Sequence, residues 1–156
     1  MSFAQQLIAL GEILLAALLG GVIGLERELA DKPAGLRTHM LVSASAALLV
    51  VLGNNLVLEA SQGQSQLVRT DPVRIIEAVI VGISFLGAGT IIRRERGGGV
   101  KGLTTAASIL AAAAVGIAVA QQLFFLAIGV TIAILFINSI MNRVEKRLVG
   151  RIQEED

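Results

Sequence analysis

The sequence predicts an all-α integral membrane protein, built as a bundle of about five transmembrane helices. Of its 156 residues, 54% are apolar and only 16% are charged. A soluble domain carries roughly 25% charged residues, so a chain this short and this apolar has too little polar surface to cover a core. The apolar residues also fall into long runs, and the pattern therefore indicates a membrane protein rather than a globular one.

Five apolar runs are each long enough to cross a bilayer, since a helix needs about 20 such residues to span a hydrocarbon core of ~30 Å. The stretch from Leu103 to Met141 would measure roughly 58 Å as one helix. It must therefore fold back, and the polar pair Gln121–Gln122 predicts a tight hairpin. The predicted spans lie at about 7–25, 39–58, 74–92, 103–120 and 123–141.

The distribution of Lys and Arg predicts the orientation of the bundle. Eleven of the 13 cations lie on one side of the predicted spans, and the positive-inside rule assigns that side to the cytoplasm. We therefore expect the N-terminus outside, a membrane domain over residues 1–141 and a short cytoplasmic tail over 142–156. The eleven are Arg27, Lys32, Arg37, Arg93, Arg94, Arg96, Lys101, Arg143, Lys146, Arg147 and Arg151; the other two are Arg69 and Arg74.

Small residues predict which helices approach closely, because lipid supplies no hydrophobic force between helices and close contact needs small side chains. Spans 1, 3 and 4 carry such residues at helical spacing, so we expect these three spans to meet backbone to backbone. The contacts form either within one chain or between copies, and a homo-oligomer, with a dimer favoured, would supply the volume that a solute path needs. The glycines concerned are Gly20, Gly24, Gly82, Gly87, Gly89 and Gly116.

Three carboxylates near the predicted outer surface form a candidate cation site: Glu12, Asp71 and Glu77. A charge at the bilayer centre costs about 2.5–3.5 kcal/mol and less near a helix end, so the two glutamates inside spans need an explanation. Carboxylate oxygens suit Mg²⁺, which is the expected ligand or substrate.

Each of these acids also has a structural interpretation. Glu77 has Arg74 one turn earlier as an ion-pair partner, and Glu12 is either protonated or reaches the outer interface. Asp71 is a strong helix N-cap in front of Pro72.

Helical periodicity places these acids on defined faces. At 100° per residue, Glu77, Ser84 and Ala88 share one face of span 3. Glu12 and Glu26 lie on one side of span 1. We expect these two polar faces to meet in a common seam inside the bundle.

A second polar cluster is expected at the predicted cytoplasmic end. It joins residues from the ends of three spans, and their alternating charges allow ion pairs. Such a cluster either locks the helices together or gates them, and both alternatives stay open. Its expected members are Glu26, Arg27, Arg37, Thr38 and Arg93.

The residue inventory argues against an enzyme. The chain has one histidine, His39, and no cysteine, which leaves no nucleophile–base pair and no thiolate or multi-histidine metal site. We therefore expect no catalytic residues and no cofactor other than Mg²⁺, and we interpret His39 as a polar helix start.

The stretch RRERGGGVKGLTTAAS, residues 93–108, superficially suggests a phosphate-binding loop. Such a loop needs Gly-Lys followed by Ser or Thr after a buried strand, whereas Lys101 precedes Gly102 and follows a predicted membrane helix. A lipid headgroup is the expected anion here, and no nucleic-acid partner is expected.

Five segments together resemble the MgtC/SapB family of bacterial inner-membrane proteins. They are GGVIGLERE (20–28), KPAGLRTHMLV (32–42), DPVRI (71–75), GISFLGAGTIIRR (82–94) and VKGLTTAAS (100–108). The resemblance implies about five spans and a multi-pass place in the bacterial cytoplasmic membrane. It also implies a link to adaptation to low magnesium and, in pathogens, to intracellular survival and virulence.

The family pattern maps onto this chain residue by residue, with two departures. Glu77 stands where a small residue is expected, and the C-terminal soluble domain of MgtC proteins has no counterpart before Asp156. The matching positions are Gly24, Glu26, Arg27, Gly35, Leu36, Arg37, Thr38, Asp71, Arg74, Gly82, Gly87, Gly89, Arg93, Gly102 and Thr105.

Two functions follow from the resemblance. The first is a non-enzymatic membrane protein that supports adaptation to low magnesium by regulating other membrane proteins or membrane energetics, as family members that restrain the ATP synthase do. The alternative is a Mg²⁺ transporter or channel built as a homo-oligomer. The lipid bilayer is the common partner of both, and another membrane protein is a partner of the first.

Overall fold

The computed structural model describes residues 1–62, 71–93 and 100–153. Within these ranges the chain is a helical bundle with one short β-hairpin, which agrees with the predicted fold class. The helices are α1 (Phe3–Leu29), α2 (Leu36–Gln62), α3 (Pro72–Ala88), α4 (Leu103–Ala120) and α5 (Phe124–Gln153), and the strands are β1 (Ile92–Arg93) and β2 (Val100–Lys101). Arg69, Arg94 and Arg96, which contributed to the predicted orientation, lie outside the described residues.

Among the described helices, three are long and apolar enough to cross a membrane. They cover Phe3–Leu29, Leu36–Ala60 and Leu103–Ala120, and Phe124–Ile140 is a shorter apolar helical stretch. Five spans and their orientation stay predictions.

Helix α1 begins at a capping box. The Ser2 Oγ accepts from the Gln5 backbone N–H at 3.3 Å, and the Gln5 Oε1 accepts from the Ser2 N–H at 2.7 Å. At the other end Arg27 lies in the last turn, where a cation complements the helix dipole. The 27 residues of α1 correspond to about 40 Å, which exceeds the thickness of a hydrocarbon core.

Helix α2 begins at Leu36, three residues before the predicted span, because α1 supplies its cap. The Glu28 Oε2 accepts from the Leu36 backbone N–H at 2.8 Å and satisfies one of the free amides at the helix start. Gly35 permits this approach, since a Cβ there would lie 2.7 Å from the same carboxylate oxygen. The turn between α1 and α2 is therefore held by the α1 side chain.

Helix α3 begins with the predicted cap and ends earlier than predicted. The Asp71 Oδ1 accepts from the Val73 N–H at 3.0 Å, with Pro72 in the first turn. The helix stops at Ala88, and Ile92–Arg93 pair with Val100–Lys101 as antiparallel strands instead of completing the span to residue 92.

The β-hairpin leads into α4 through Gly102. This residue has φ +93°, and a Cβ there would collide with the Thr90 carbonyl oxygen. Only glycine combines that backbone conformation with such a close approach.

Helices α4 and α5 are joined by the predicted reversal at Gln121–Gln122. Helix α4 ends at Ala120 and α5 begins at Phe124. Gln122 takes a left-handed backbone conformation, with φ 60°, which is uncommon for a residue other than glycine.

Helices α2 and α4 form the centre of the bundle. Helix α1 packs on α2, α4 and α5, whereas α3 packs on α2 and α4 from the other side. Most core residues are small, which allows close helix approach. One cluster contains Ala9, Ala16, Ile23, Ala47, Val50, Val51, Val115, Val119, Ala120 and Ala127; the other contains Ala34, Val42, Ala46, Val79, Ile109, Ala112 and Ala113.

The predicted glycine contacts need one correction, which is the identity of the partner helix. Gly20 and Gly24 of α1 and Gly116 of α4 all face α2, which had not been expected to take part. A Cβ on Gly20 would lie 2.6 Å from the Ser43 Cβ, and a Cβ on Gly116 would collide with the Ser43 carbonyl.

The α3 glycines differ from one another. Gly87 faces Ala106 of α4, where an added Cβ would lie 3.5 Å from the Ala106 Cβ. Gly89 lies beside carbonyls of its own helix, and the space beside Gly82 is open for 4 Å. The expected close approach of α3 therefore holds at Gly87 and involves α4.

Candidate functional site

A buried ion pair marks the end of the bundle where α1 stops. The Arg27 Nε donates to the Glu26 Oε2 at 2.9 Å and its Nη2 donates to the Oε1 at 3.3 Å. Only 2% of Arg27 is exposed. A buried guanidinium needs such a partner, because removing a charge from water is costly unless it is paired and hydrogen-bonded.

Helix α5 joins this ion pair through Asn138, whose Nδ2 donates to the Glu26 Oε2 at 3.0 Å. Nearer the start of α1, the Nε2 of Gln122, in the turn before α5, donates to the Glu12 Oε1 at 3.1 Å. Glu12 precedes Glu26 just as Gln122 precedes Asn138, so α1 and α5 run parallel. The hydrogen bond from Asn138 to Glu26 therefore sets the axial position of α5 relative to α1.

A buried histidine links α2 to α4 beside the ion pair. His39 is fully buried, with its Nδ1 2.9 Å from the Gly35 carbonyl oxygen and its Nε2 3.0 Å from the Ser108 Oγ. The Ser108 Oγ also lies 2.9 Å from the Thr105 carbonyl oxygen. Gly24 leaves room for His39, since a Cβ at Gly24 would lie 2.8 Å from the His39 Cβ.

The chemistry of this link allows two proton arrangements. A carbonyl oxygen only accepts, so the Nδ1 carries a proton and donates to Gly35. The single Ser108 hydroxyl proton goes either to a neutral His39 Nε2 or to the Thr105 carbonyl. In the second case the Nε2 must itself donate, and His39 is then an imidazolium.

One hydroxyl in the same region lacks a hydrogen bond. Ser43, one turn after His39 on α2, is fully buried, and its Oγ has no partner among the described residues. The Ser43 backbone lies against Gly116 and its Cβ lies against Gly20, so three helices meet at this residue. Such an unpaired buried hydroxyl is unusual and costs free energy.

Of the expected inner cluster, the described contacts join Glu26 and Arg27 to each other. Arg37 is exposed and Thr38 is half-buried. Arg93 lies in β1, where its backbone is paired with Val100. Five further polar residues, which were not predicted from the sequence to belong to the cluster, lie at this end of the bundle: His39, Ser43, Thr105, Ser108 and Asn138.

A signal for some of the missed residues was present in the sequence. His39 and Ser43 are four residues apart, and Thr105 and Ser108 are three apart, so each pair shares a helix face. Two polar pairs on otherwise apolar helices favour a contact between them. No pattern identified Asn138, whose role depends on the parallel packing of α1 and α5.

The candidate outer site is not brought together within one chain. Glu12 is half-buried on α1, Asp71 caps α3 and Glu77 is exposed on α3. Helices α2 and α4 lie between α1 and α3. Over the three described ranges, no group of three or more His, Asp or Glu side chains has the geometry to hold a metal ion.

The expected interior seam between the polar faces of α1 and α3 is wrong. Glu77, Ser84 and Ala88 are exposed, because α3 turns Val79 and Gly87 towards the bundle instead. The alternative for Glu77, an ion pair with Arg74, is not formed either, since neither side chain has an ion-pair partner in the described part of the chain.

Comparison with known proteins gives a consistent result. The model of the MgtC family matches residues 13–147. "Putative magnesium transporter YhiD" of Escherichia coli (strain K12) is 33% identical over 139 residues, which are 89% of this chain and 63% of that protein. "Protein SapB" of Bacillus subtilis (strain 168) is 32% identical over 146 residues, 91% of this chain and 60% of that protein.

"Protein MgtC" of Brucella abortus (strain 2308) is 37% identical over 126 residues, 81% of this chain and 48% of that protein. The chain thus spans about half to two thirds of the length of the curated relatives it matches. No solved structure gives a significant match. A family match over residues 13–147, together with these relatives, confirms the resemblance seen in the motifs, and the protein belongs to the MgtC family.

Proposed function

We propose that this MgtC family membrane protein is a non-enzymatic, multi-pass protein of the bacterial cytoplasmic membrane. In this proposal it supports adaptation to low magnesium by regulating other membrane proteins or membrane energetics. The observation that carries the proposal is the closed packing of α2 between α1 and α4.

The space between these three helices is filled by backbone. A Cβ on Gly24 would lie 2.7 Å from the Gly35 carbonyl oxygen, and even a methyl group on Gly20 or Gly116 would collide with α2. Mg²⁺ dehydrates reluctantly and usually keeps several waters, so a path for it needs a wide polar space. The packing therefore favours a protein that acts through its surface over one that conducts through its own bundle.

The turn between α1 and α2 is a rigid polar surface suited to a partner. Its backbone is held by the bond from the Asp31 N–H to the Glu28 carbonyl at 3.1 Å and from the Lys32 N–H to the Arg27 carbonyl at 3.0 Å. Asp31 and Arg37 are exposed on it. Opposite charges on a fixed backbone favour specific recognition of a charged partner surface.

Photocrosslinking in cells tests this surface. A photoreactive amino acid at Arg37 is compared with one at Leu18, an exposed apolar position on α1 that suits lipid. At low magnesium we expect a defined adduct with another membrane protein from position 37 and none from position 18. Adducts with copies of this chain alone, or the same adduct from both positions, would contradict the proposal.

A second candidate, a Mg²⁺ transporter or channel built as a homo-oligomer, is favoured by two observations. One relative carries the name "Putative magnesium transporter YhiD". In addition, Glu12 is a half-buried carboxyl group whose described hydrogen bond comes from the neutral Gln122 amide, and its oxygens are of the kind that bind a cation.

Ion flux into proteoliposomes separates the two candidates. The purified protein is reconstituted and exposed to gradients of Mg²⁺, Na⁺, K⁺ and H⁺, with Glu12→Gln as the matched variant that keeps side-chain size. The regulatory proposal expects no flux above that of empty liposomes. A Mg²⁺ flux that Glu12→Gln abolishes would establish the second candidate in its place.

A further inference from the structure

A titratable side chain lies inside the contact between α2 and α4, and the function proposed above does not use it. His39 is fully buried, and its ring nitrogens lie 2.9 Å from the Gly35 carbonyl oxygen and 3.0 Å from the Ser108 Oγ. A histidine has an ordinary pKa of about 6.5 and changes its charge between about pH 5 and pH 8. The charge of this ring therefore bears on the α2–α4 contact.

The packed site suits a neutral ring. Gly24 of α1 lies against it, since a Cβ on Gly24 would lie 2.8 Å from the His39 Cβ, and Thr105 and Ser108 of α4 are both buried. In the neutral ring the Nδ1 donates to the Gly35 carbonyl and the Nε2 accepts from the Ser108 hydroxyl, so both nitrogens are satisfied without water. A charged ring in the same space would lose its hydration, which is costly unless a counter-charge replaces it.

The charged groups around the ring are already engaged with one another. Among the described side chains, Arg27 and Glu26 of α1 are the charged groups that act on His39. Glu26 accepts from the Arg27 guanidinium and from Asn138 of α5, which is uncharged. On the side of α4 the ring meets hydroxyl groups rather than charges. A proton on His39 would therefore place a second cation next to Arg27, with one carboxylate shared between them.

An unpaired hydroxyl lies one turn further along α2. Ser43 is fully buried, and its Oγ has no hydrogen bond among the described residues. Such a hydroxyl gains a partner as soon as water enters. His39 and Ser43 thus both favour hydration of this end of the bundle, the ring when it is charged and the hydroxyl at any pH.

We propose that the hydrogen-bonded link of His39 with Gly35 and Ser108, called here the His39 contact, is an acid-sensitive contact that holds α2 to α4 when the ring is neutral and opens when the ring binds a proton. The charged ring is better solvated if the two helices separate at this end and water reaches it. The open state therefore binds the proton more tightly than the closed state, and a fall in pH must favour opening. For one proton, the ratio of open to closed molecules changes by at most about tenfold per pH unit.

Opening alters the turn between α1 and α2. Gly35 accepts from the ring and immediately precedes Leu36, whose amide is capped by Glu28 of α1. The backbone that holds the ring is thus the backbone of the turn, so the position of the turn relative to α4 depends on the charge of His39. The inference concerns only the packing of the bundle and is independent of whether the protein regulates or transports.

Nitrogen NMR reads the charge of the ring directly, because His39 is the only histidine of the chain. The full chain, made without a histidine tag and labelled with ¹⁵N-histidine, is reconstituted in bilayers and measured from about pH 8 to about pH 5. We expect one protonated and one bare ring nitrogen at the upper pH and two protonated nitrogens at the lower. A ring that keeps one charge state over the whole range would overturn the proposal.

Spin labels measure the opening itself. Leu41→Cys on α2 and Leu103→Cys on α4 are labelled together, since both side chains are exposed and the chain has no cysteine of its own. Electron paramagnetic resonance should show a longer and broader distance at about pH 5 than at about pH 8. His39→Gln removes the change, because glutamine offers Ser108 a neutral donor and does not titrate. No pH response with His39 present, or the same response in His39→Gln, contradicts the proposal.

Two comparisons keep this test specific. A label pair at the opposite end of α2 and α4, Leu56→Cys with Leu123→Cys, has exposed positions of the same kind and should not respond to pH; an equal response there would indicate general unfolding and overturn a local contact. Ser43→Ala removes the unpaired hydroxyl and should lower the ratio of open to closed molecules by about fivefold or more. A higher ratio in Ser43→Ala would contradict the proposal, and the NMR measurement on the unmodified chain decides it even where His39→Gln fails to fold.

Discussion

Two regions of the molecule differ in how their charged side chains are paired: the end of the bundle around Arg27, and the outward side of α3. At the first, Arg27 and Glu26 are paired, and the carboxylate also holds Asn138 of α5. On α3, Arg74 and Glu77 lie on an exposed face without an ion-pair partner in the described chain. A buried charge that is paired within the chain contributes to the stability of the fold, whereas an exposed charge contributes little.

The largest expected difference between the two regions is in arginine removal. Arg27→Ala removes the buried ion pair between Arg27 and Glu26 and should cost about 3–5 kcal/mol of unfolding free energy. Arg74→Ala, measured in the same detergent, should cost under about 1 kcal/mol. Denaturant titration followed by circular dichroism compares them, and equal losses would contradict the contrast.

Glycine replacement should give the next largest effect. Gly116→Ala places a methyl group against the Ser43 carbonyl and should cost about 1–3 kcal/mol by overpacking. Gly82→Ala meets open space and should be neutral or stabilising by up to about 1 kcal/mol, because alanine favours the helix. Thermal unfolding of both variants in the same detergent measures the difference, and destabilisation by Gly82→Ala would show that α3 is more closely packed than described.

Removal of a buried hydroxyl should have an effect of similar size, which depends on whether that hydroxyl has a hydrogen-bond partner. Ser108→Ala leaves the His39 Nε2 unpaired and should cost about 1–3 kcal/mol. Ser43→Ala removes a hydroxyl with no hydrogen bond in the described structure and should be neutral or stabilising. If the two serines prove equally sensitive in a thermal melt, the His39–Ser108 hydrogen bond does not stabilise the α2–α4 contact.

The smallest effect concerns the N-cap of α3. Asp71→Ala should cost about 1 kcal/mol because it removes the acceptor for the Val73 amide, whereas Asp71→Asn keeps an acceptor and should be nearly neutral. Melting temperatures with and without Mg²⁺ separate capping from cation binding. A loss of Mg²⁺-dependent stabilisation in Asp71→Asn would return this residue to the candidate cation site.

Sequence patterns predicted features that depend on neighbours along the chain. The reversal at Gln121–Gln122 followed from a hydrophobic run too long for one crossing, and Asp71–Pro72 was a local capping signal. Each of these depends on a few consecutive residues, whose conformational preferences act before any tertiary contact forms.

The partners of each helix face were not predictable in the same way. Gly20, Gly24 and Gly116 indicated close approach, but a small residue has no side chain that would specify what approaches it. The spacing of small residues predicted contacts among spans 1, 3 and 4, and helical periodicity predicted that Glu77 lies in an interior seam. In the structure α2 takes the central place, and α3 turns the Glu77 face outwards.

Three features could be inferred from the amino-acid sequence alone: a helical membrane protein of the MgtC family, the hairpin between α4 and α5, and the capped start of α3. Composition and local spacing carry that information, because bilayer thickness and backbone capping act on each segment separately. The packed bundle was needed to show that His39 lies within hydrogen-bond distance of Ser108, that Asn138 reaches Glu26, and that Glu12 and Glu77 lie apart. The physical reason is that helix rotation and neighbour choice follow from the packing of all the helices at once.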